Sequence, residues 1–209
     1  MRYSQDHKDE TRQRLLKIAG RALRTKGPDG VAVAEVMKEA GLTHGGFYAH
    51  FKNKDAMLVE TLGGIFARSR GKFLAATEGL PPRAALASYI DFYVSPRHRD
   101  NAASGCPVTA LNSDLPRQSK ALRTAFDKGV KALVAGLTQL IREARVEEGA
   151  EEGAAALAAS VISAMAGAVA ISRAVSDKVL SDQMLAAARE SIKQRLGVGD
   201  ADLSRSARS

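Results

Sequence analysis

The stretch LTHGGFYAHFKNK, Leu42 to Lys54, sets two adjacent glycines where a short helix is about to begin. A glycine inside a helix costs about 1 kcal/mol relative to alanine, so Gly45 and Gly46 need a reason. Phe47, Tyr48 and Phe51 fall within one arc of that helix; Gly45, Gly46, Ala49 and His50 take the other. Just upstream, Val33, Val36, Met37 and Ala40 repeat at helical spacing, and Gly41 is the residue type that ends a helix at its C′ position. Thr43, a favoured capping type, precedes the second helix. Two short helices joined by a three-residue, glycine-containing turn form a helix-turn-helix. In such a unit the start of the second helix meets base edges, and helix N-termini meet phosphates. Without Cβ atoms at 45 and 46 the helix can approach another backbone closely. Spacing alone leaves the plainer alternative that the glycines only loosen a turn.

Outward from this stretch the chain reads as helices. Leu15, Ile18, Ala19 and Ala22, widened by Leu16 and Leu23, give an apolar stripe over Asp9–Lys26, which Gly27–Gly30 (GPDG) ends. Asn53 is placed to cap a helix running to about Glu78, with Asp55 in its first turn and Lys52 and Lys54 beside its start, where they suit phosphate contact. Leu86, Tyr89, Ile90 and Tyr93 mark the next helix, and SPRHRDNAASG after it reads as a polar loop. Ser104 and Pro107 suit the start of a short helix to about Leu115. A long amphipathic helix carries Leu122, Phe126, Val130, Leu133, Leu137, Leu140 and Ile141, and EEGAEEG (147–153) reads as an acidic turn. Helices over Ala154 to about Ser176 and Ser181 to Leu196 close the chain, with 197–209 as a loose tail.

Composition bounds the function. The chain has 209 residues and a formal net charge of +8, which points to a polyanion, nucleic acid or anionic membrane surface. Residues 1–54 hold 11 Lys and Arg against 6 Asp and Glu, so the basic charge is concentrated where the helix-turn-helix lies. The single Cys106 excludes an internal disulfide and cysteine-rich zinc sites and fits a reducing cytoplasm; the first ten residues lack the apolar core of a signal peptide. Gly153–Ser172 is uncharged over 20 residues, the length of a membrane span, but its Ala, Gly and Ser content fits a buried or partner-packed helix better.

Gly30–Leu58, GVAVAEVMKEAGLTHGGFYAHFKNKDAML, resembles the signature of the TetR/AcrR family of bacterial transcriptional repressors. Val33, Val36, Ala40, Gly41, Leu42, Thr43, Gly45, Phe47, Tyr48, His50, Phe51, Lys54, Asp55 and Leu58 match in one register. The resemblance covers about 50 residues with the first helix; the rest agrees in length and helical layout only. It implies an all-α chain of about nine helices: a DNA-binding domain over 1–54, a ligand-binding and dimerisation domain over 55–196, and a flexible tail. It implies a homodimer formed through about 153–196 that binds a palindromic operator in double-stranded DNA and releases it on binding a small molecule, without cofactor or metal. Carried over by position, Thr43, His44, Gly45 and Gly46 lie at the groove, while Tyr48, His50 and Lys54 hold phosphates. One position departs. Where the family usually has Thr or Ser before the second helix, this chain has Ala32, and a cap and a phosphate contact are missing.

The effector site is expected among Tyr89, Phe92, Tyr93, Cys106, Phe126 and Leu133, which carry most of the aromatics of residues 55–196. For each aromatic taken singly, a place in the core is the better expectation. Cys106 stands at a helix start, where a thiolate is favoured, but a lone cysteine is more often a small buried apolar residue. His98 lies in the stretch read as a polar loop and is expected to be solvated. A cysteine hydrolase using Cys106 and His98 is the enzymatic alternative, and a membrane-surface protein using the Ala-rich helix is another. The chain contains no GxSxG, HExxH, GxGxxG or P-loop pattern, and no enzymatic activity is expected.

Overall fold

The computed structural model describes residues 2–145, 153–199 and 202–203, with side chains from Asp6 onward. Among these residues there is no β-strand. The α-helices are α1 (Arg2–Lys26), α2 (Val33–Glu39), α3 (Lys54–Thr77), α4 (Pro82–Tyr93), α5 (Pro96–Asp100), α6 (Pro107–Leu111), α7 (Lys120–Arg145), α8 (Ala154–Ala174) and α9 (Lys178–Leu196). Short 3-10 helices cover His44–Ala49, Ala102–Ser104 and Leu115–Arg117. The all-α class expected from the sequence holds. The chain divides into two compact units, Met1–Arg68 with Ala102–Gly129, and Ser69–Asn101 with Val130–Ser209.

In the first unit α1 presents the expected stripe: Leu15, Ala19 and Leu23 are fully buried. Val36 and Met37 of α2, Phe47 and Phe51 of the recognition stretch, and Met57, Leu58, Leu62 and Ile65 of α3 complete the core. The local signals act where residue chemistry places them. Gly41 has φ +73° after α2, and Asn53 Oδ1 accepts a bond from the Ala56 amide at 2.8 Å, capping α3. Ala32 makes no side-chain cap, as its methyl group requires, and Glu35 in the first turn of α2 pairs with Lys26 at 2.7 Å instead. The recognition stretch is a 3-10 segment rather than an α-helix. The Gly46 amide bonds Thr43 O at 3.1 Å and the His50 amide bonds Phe47 O at 2.9 Å, both three residues back. The glycines that weaken α-helix there leave this tighter form.

In the second unit Leu86, Ile90, Val94, Leu137, Ile141, Val161, Met165, Val169, Leu185 and Ile192 are buried. The polar loop expected after Tyr93 contains a helix. Ser95 Oγ accepts from the His98 amide at 3.2 Å, Pro96 occupies the first turn, and α5 follows. Arg99 of α5 is buried, donating to Ser181 Oγ at 2.7 Å, Asp182 Oδ1 at 2.5 Å and Asp100 Oδ1 at 2.7 Å. Arg173 Nε donates to the Arg99 carbonyl at 2.9 Å, so α5 is tied to both α8 and α9. α8 has the length and apolar character to cross a membrane. One of its faces packs on α9; Ile171 on the other is exposed. The apolar residues of α9 divide: Leu185 and Ile192 are buried, while Val179 and Leu180 are exposed. Of the segment 197–209, Val198 is buried and Asp202 accepts from Arg83 Nε of α4 at 3.2 Å; residues 204–209 lie outside the described residues. So does the acidic turn, apart from Gly153.

Candidate nucleic-acid interface

Phe47 and Phe51 anchor the recognition stretch. Both are buried, their ring centroids 5.6 Å apart, and they leave Thr43, His44, Gly45 and Tyr48 facing solvent. Tyr48 is 70% exposed, an unusual position for a large aromatic, and its ring is held edge-on to Phe47 at 5.4 Å. A Cβ added at Gly45 would meet nothing within 4 Å, and one at Gly46 would meet only Met37 Cε at 3.5 Å and Thr43 Oγ1 at 3.8 Å. Neither glycine is required by packing inside the chain. The space at both positions is open or in ordinary contact range.

The C-terminal end of the stretch is fixed from α1. The Arg12 guanidinium donates to the His50 carbonyl, pairs with Glu60 of α3, and lies 4.6 Å from the centre of the Phe51 ring. His50 Nδ1 is buried without a hydrogen-bond partner. Burial, with the nearby charges of Lys8 and Arg12, holds the His50 pKa below its ordinary value. An anion beside this ring would relieve the repulsion. Lys54 Nζ donates to the Asp29 carbonyl at 3.4 Å, in the turn between α1 and α2. Sequence reasoning misses Arg12, because its partners lie 38 and 48 residues away and no periodic signal marks it.

The residues expected around an effector fall in both units. Tyr89 and Tyr93 are buried and edge-on to each other at 5.9 Å in a chain that also includes Phe73, 4.7 Å from Tyr89, and His98, 4.6 Å from Tyr93. His98 is therefore not a solvated loop residue. Its Nδ1 lies 2.8 Å from the Tyr93 carbonyl, and burial pushes its pKa below the ordinary value, against that bond and with Arg173 and Lys72. Leu133 is half-buried in the same unit, and Phe92 is 38% exposed. In the first unit Phe126 meets Phe66 at 5.7 Å, and buried Cys106 precedes α6 without capping it. Nearby Arg24 donates to the Ala103 carbonyl at 2.7 Å; burial first and Arg68 second bring its pKa down to about 10. Among the described residues, no group of His, Cys, Asp and Glu is arranged to hold a metal ion.

Residues 15–61 match the family model for bacterial regulatory proteins of the tetR family, and residues 82–190 match the model for the C-terminal domain of LmrA/YxaF-like transcriptional regulators. The chain belongs to the TetR family of transcriptional regulators. The function the signature implies, DNA-binding transcriptional regulation that answers to a small molecule, is the function of this family. Among the relatives of this TetR-family chain, the HTH-type transcriptional repressor NemR of Escherichia coli is 27% identical over 139 residues, which cover 65% of this chain and 69% of NemR. The HTH-type regulator EthR of Mycolicibacterium smegmatis is 26% identical over 144 residues, 68% of this chain and 64% of EthR. The reduced form of E. coli NemR superposes with TM-score 0.73 at 23% identity, covering 88% of this chain and 96% of that one. A TetR-family regulator from Cytophaga hutchinsonii superposes with TM-score 0.77 at 20% identity, covering 90% and 96%. These structural likenesses establish the fold.

Proposed function

We propose that this TetR-family chain is a cytoplasmic repressor whose homodimer holds a palindromic operator and releases it on binding a small molecule. One observation carries the DNA reading: the signature stretch stands on two buried phenylalanines with its remaining groups presented to solvent. In this reading residues 1–54 form the DNA-binding domain and 55–196 the ligand-binding and dimerisation domain. Thr43, His44, Gly45 and Gly46 enter the major groove, the glycines allowing close approach. Tyr48, His50 and Lys54 meet phosphates with hydroxyl, imidazole and ammonium donors. Two glycines carry no donors for bases, so Thr43 and His44 carry the direct readout.

The exposed side of α8, with Ile171 at 54%, and the start of α9, with Val179 at 67% and Leu180 at 46%, support a two-helix contribution from each subunit to a four-helix interface about a two-fold axis. Small side chains on α8 suit a partner helix at close range. The effector is assigned to the aromatic region around Tyr89 and Tyr93, whose hydroxyls can orient it.

Lys54→Ala tests the phosphate contact. Binding to all duplex sequences should weaken alike, and the slope of log affinity against log salt should fall by about 0.9. Substitutions at Thr43 or His44 should change sequence preference instead. An unchanged slope for Lys54→Ala would remove Lys54 from the interface.

A further inference from the structure

Two aspartates bear on Lys54. Asp55 is its chain neighbour, and Asp29 is the residue whose main-chain carbonyl accepts the Lys54 ammonium. Either carboxylate, if unoccupied, would compete for that ammonium far better than a neutral carbonyl, since charge-assisted bonds are about twice as strong as neutral ones. Both are occupied from outside the helix-turn-helix. Gln118 Nε2 is shared between the two Asp29 oxygens at 3.2 Å each. Ser119 Oγ donates to Asp55 Oδ1 at 2.7 Å while accepting from the Leu122 amide at 3.1 Å, which caps α7. All five residues belong to the same compact unit, although 64 and 89 residues separate the bonded pairs.

We propose that Gln118 and Ser119 are positioning residues for DNA binding: by engaging Asp29 and Asp55 they keep Lys54 free for a phosphate. The inference rests on the proposed role of Lys54. It extends the DNA-binding machinery to the segment between α6 and α7, where no DNA contact is assigned. Loss of the Gln118 bonds leaves the Asp29 carboxylate without its amide partner and available to the Lys54 ammonium. The ammonium is then neutralised within the protein.

The test is fluorescence-anisotropy titration of a labelled random-sequence 30-bp duplex, with affinity followed from about 50 to 200 mM salt. Wild type, Lys54→Ala, Gln118→Ala, Gln118→Met and the pair Gln118→Ala with Asp29→Asn are compared. Gln118→Met is close in volume and lacks the amide, which separates loss of the bond from loss of packing. The expected result is a slope lower by about 0.9 in Lys54→Ala and in both Gln118 variants. The wild-type slope should return in the double variant, because a neutral amide in place of the Asp29 carboxylate no longer attracts Lys54. A role confined to stability would not be rescued by Asp29→Asn. A reduced slope in Lys54→Ala with an unchanged slope in both Gln118 variants would overturn this inference alone. So would failure of the double variant to recover. An unchanged slope in Lys54→Ala would overturn the phosphate role and this inference with it.

Discussion

A Cβ at Gly129 would overlap the Phe66 ring. Gly129 stands inside α7, where its lack of side chain weakens the helix by about 1 kcal/mol relative to alanine. Its position follows from packing: only a bare Cα lets α7 close on a buried phenylalanine that is also edge-on to Phe126 at 5.7 Å. Overpacking costs about 1–3 kcal/mol, and an overlap with ring carbons belongs at the upper end. The gain in helix propensity offsets only part of it. Gly129→Ala is therefore expected to lower the unfolding free energy by about 2 kcal/mol in urea denaturation. A stability equal to or above wild type would show that Phe66 moves aside freely. Gly45 is the opposite case. Space around it is open, so Gly45→Ala should leave stability within about 1 kcal/mol of wild type, and its effect should appear in DNA affinity.

At the scale of elements, the junction of α4 and α5 depends on an uncharged His98. Its ring is packed on Tyr93 and bonded to the Tyr93 carbonyl, and burial is the leading cause of its depressed pKa. The sign follows directly. With the folded pKa below the ordinary 6.5, the unfolded chain binds a proton between the two values that the folded chain refuses. Stability is thus full above about pH 6.5 and falls as pH drops toward the folded pKa. His98→Gln should remove this part of the pH dependence of thermal unfolding between about pH 7 and 5, whatever it does to absolute stability. If the variant and wild type lose stability in parallel, His98 is not the group. This junction was poorly legible in the sequence. Ser95 and Pro96 carry a helix-start signal, but α5 has only five residues, too few for an apolar period, and its polar composition reads as loop. Tertiary partners on α8 and α9 hold it.

For the whole molecule, affinity depends on having two DNA-binding units in one assembly. Ile171 and Leu180 expose 54% and 46% of their surface in a subunit already well packed. Glutamates at both positions should leave subunit folding intact while placing charges inside the proposed dimer interface. Light scattering at micromolar concentration should then show a shift from dimer to monomer. Binding to a full palindrome, with half-sites about 34–36 Å apart, should fall to the level of a single half-site. A wild-type chain that is already monomeric, or that binds one half-site as tightly as two, would defeat the dimeric reading. Pelleting of wild type with anionic liposomes, lost in the same double variant, would assign the α8 face to a membrane instead.

The sequence by itself determined the all-α class, the helix-turn-helix, the stops at Gly27–Gly30 and Gly41, the Asn53 cap and the family. The first four are written in short-range chemistry, namely apolar spacing, capping side chains and the conformations open to glycine; the family is carried by the resemblance of Gly30–Leu58 to its signature. Only the tertiary structure decided the 3-10 form of the recognition stretch, the inward turn of Leu185 and Ile192 on α9, the ion pairs of buried Arg99 with exposed Asp100 and Asp182, and the hold of Arg12 on His50. It alone brought Gln118 and Ser119 to the carboxylates beside Lys54. Those pairings join residues tens of positions apart, and a side chain's distant partner leaves no trace in local periodicity. Period says which residues can share a helix face; which face meets the core is settled when the helices pack.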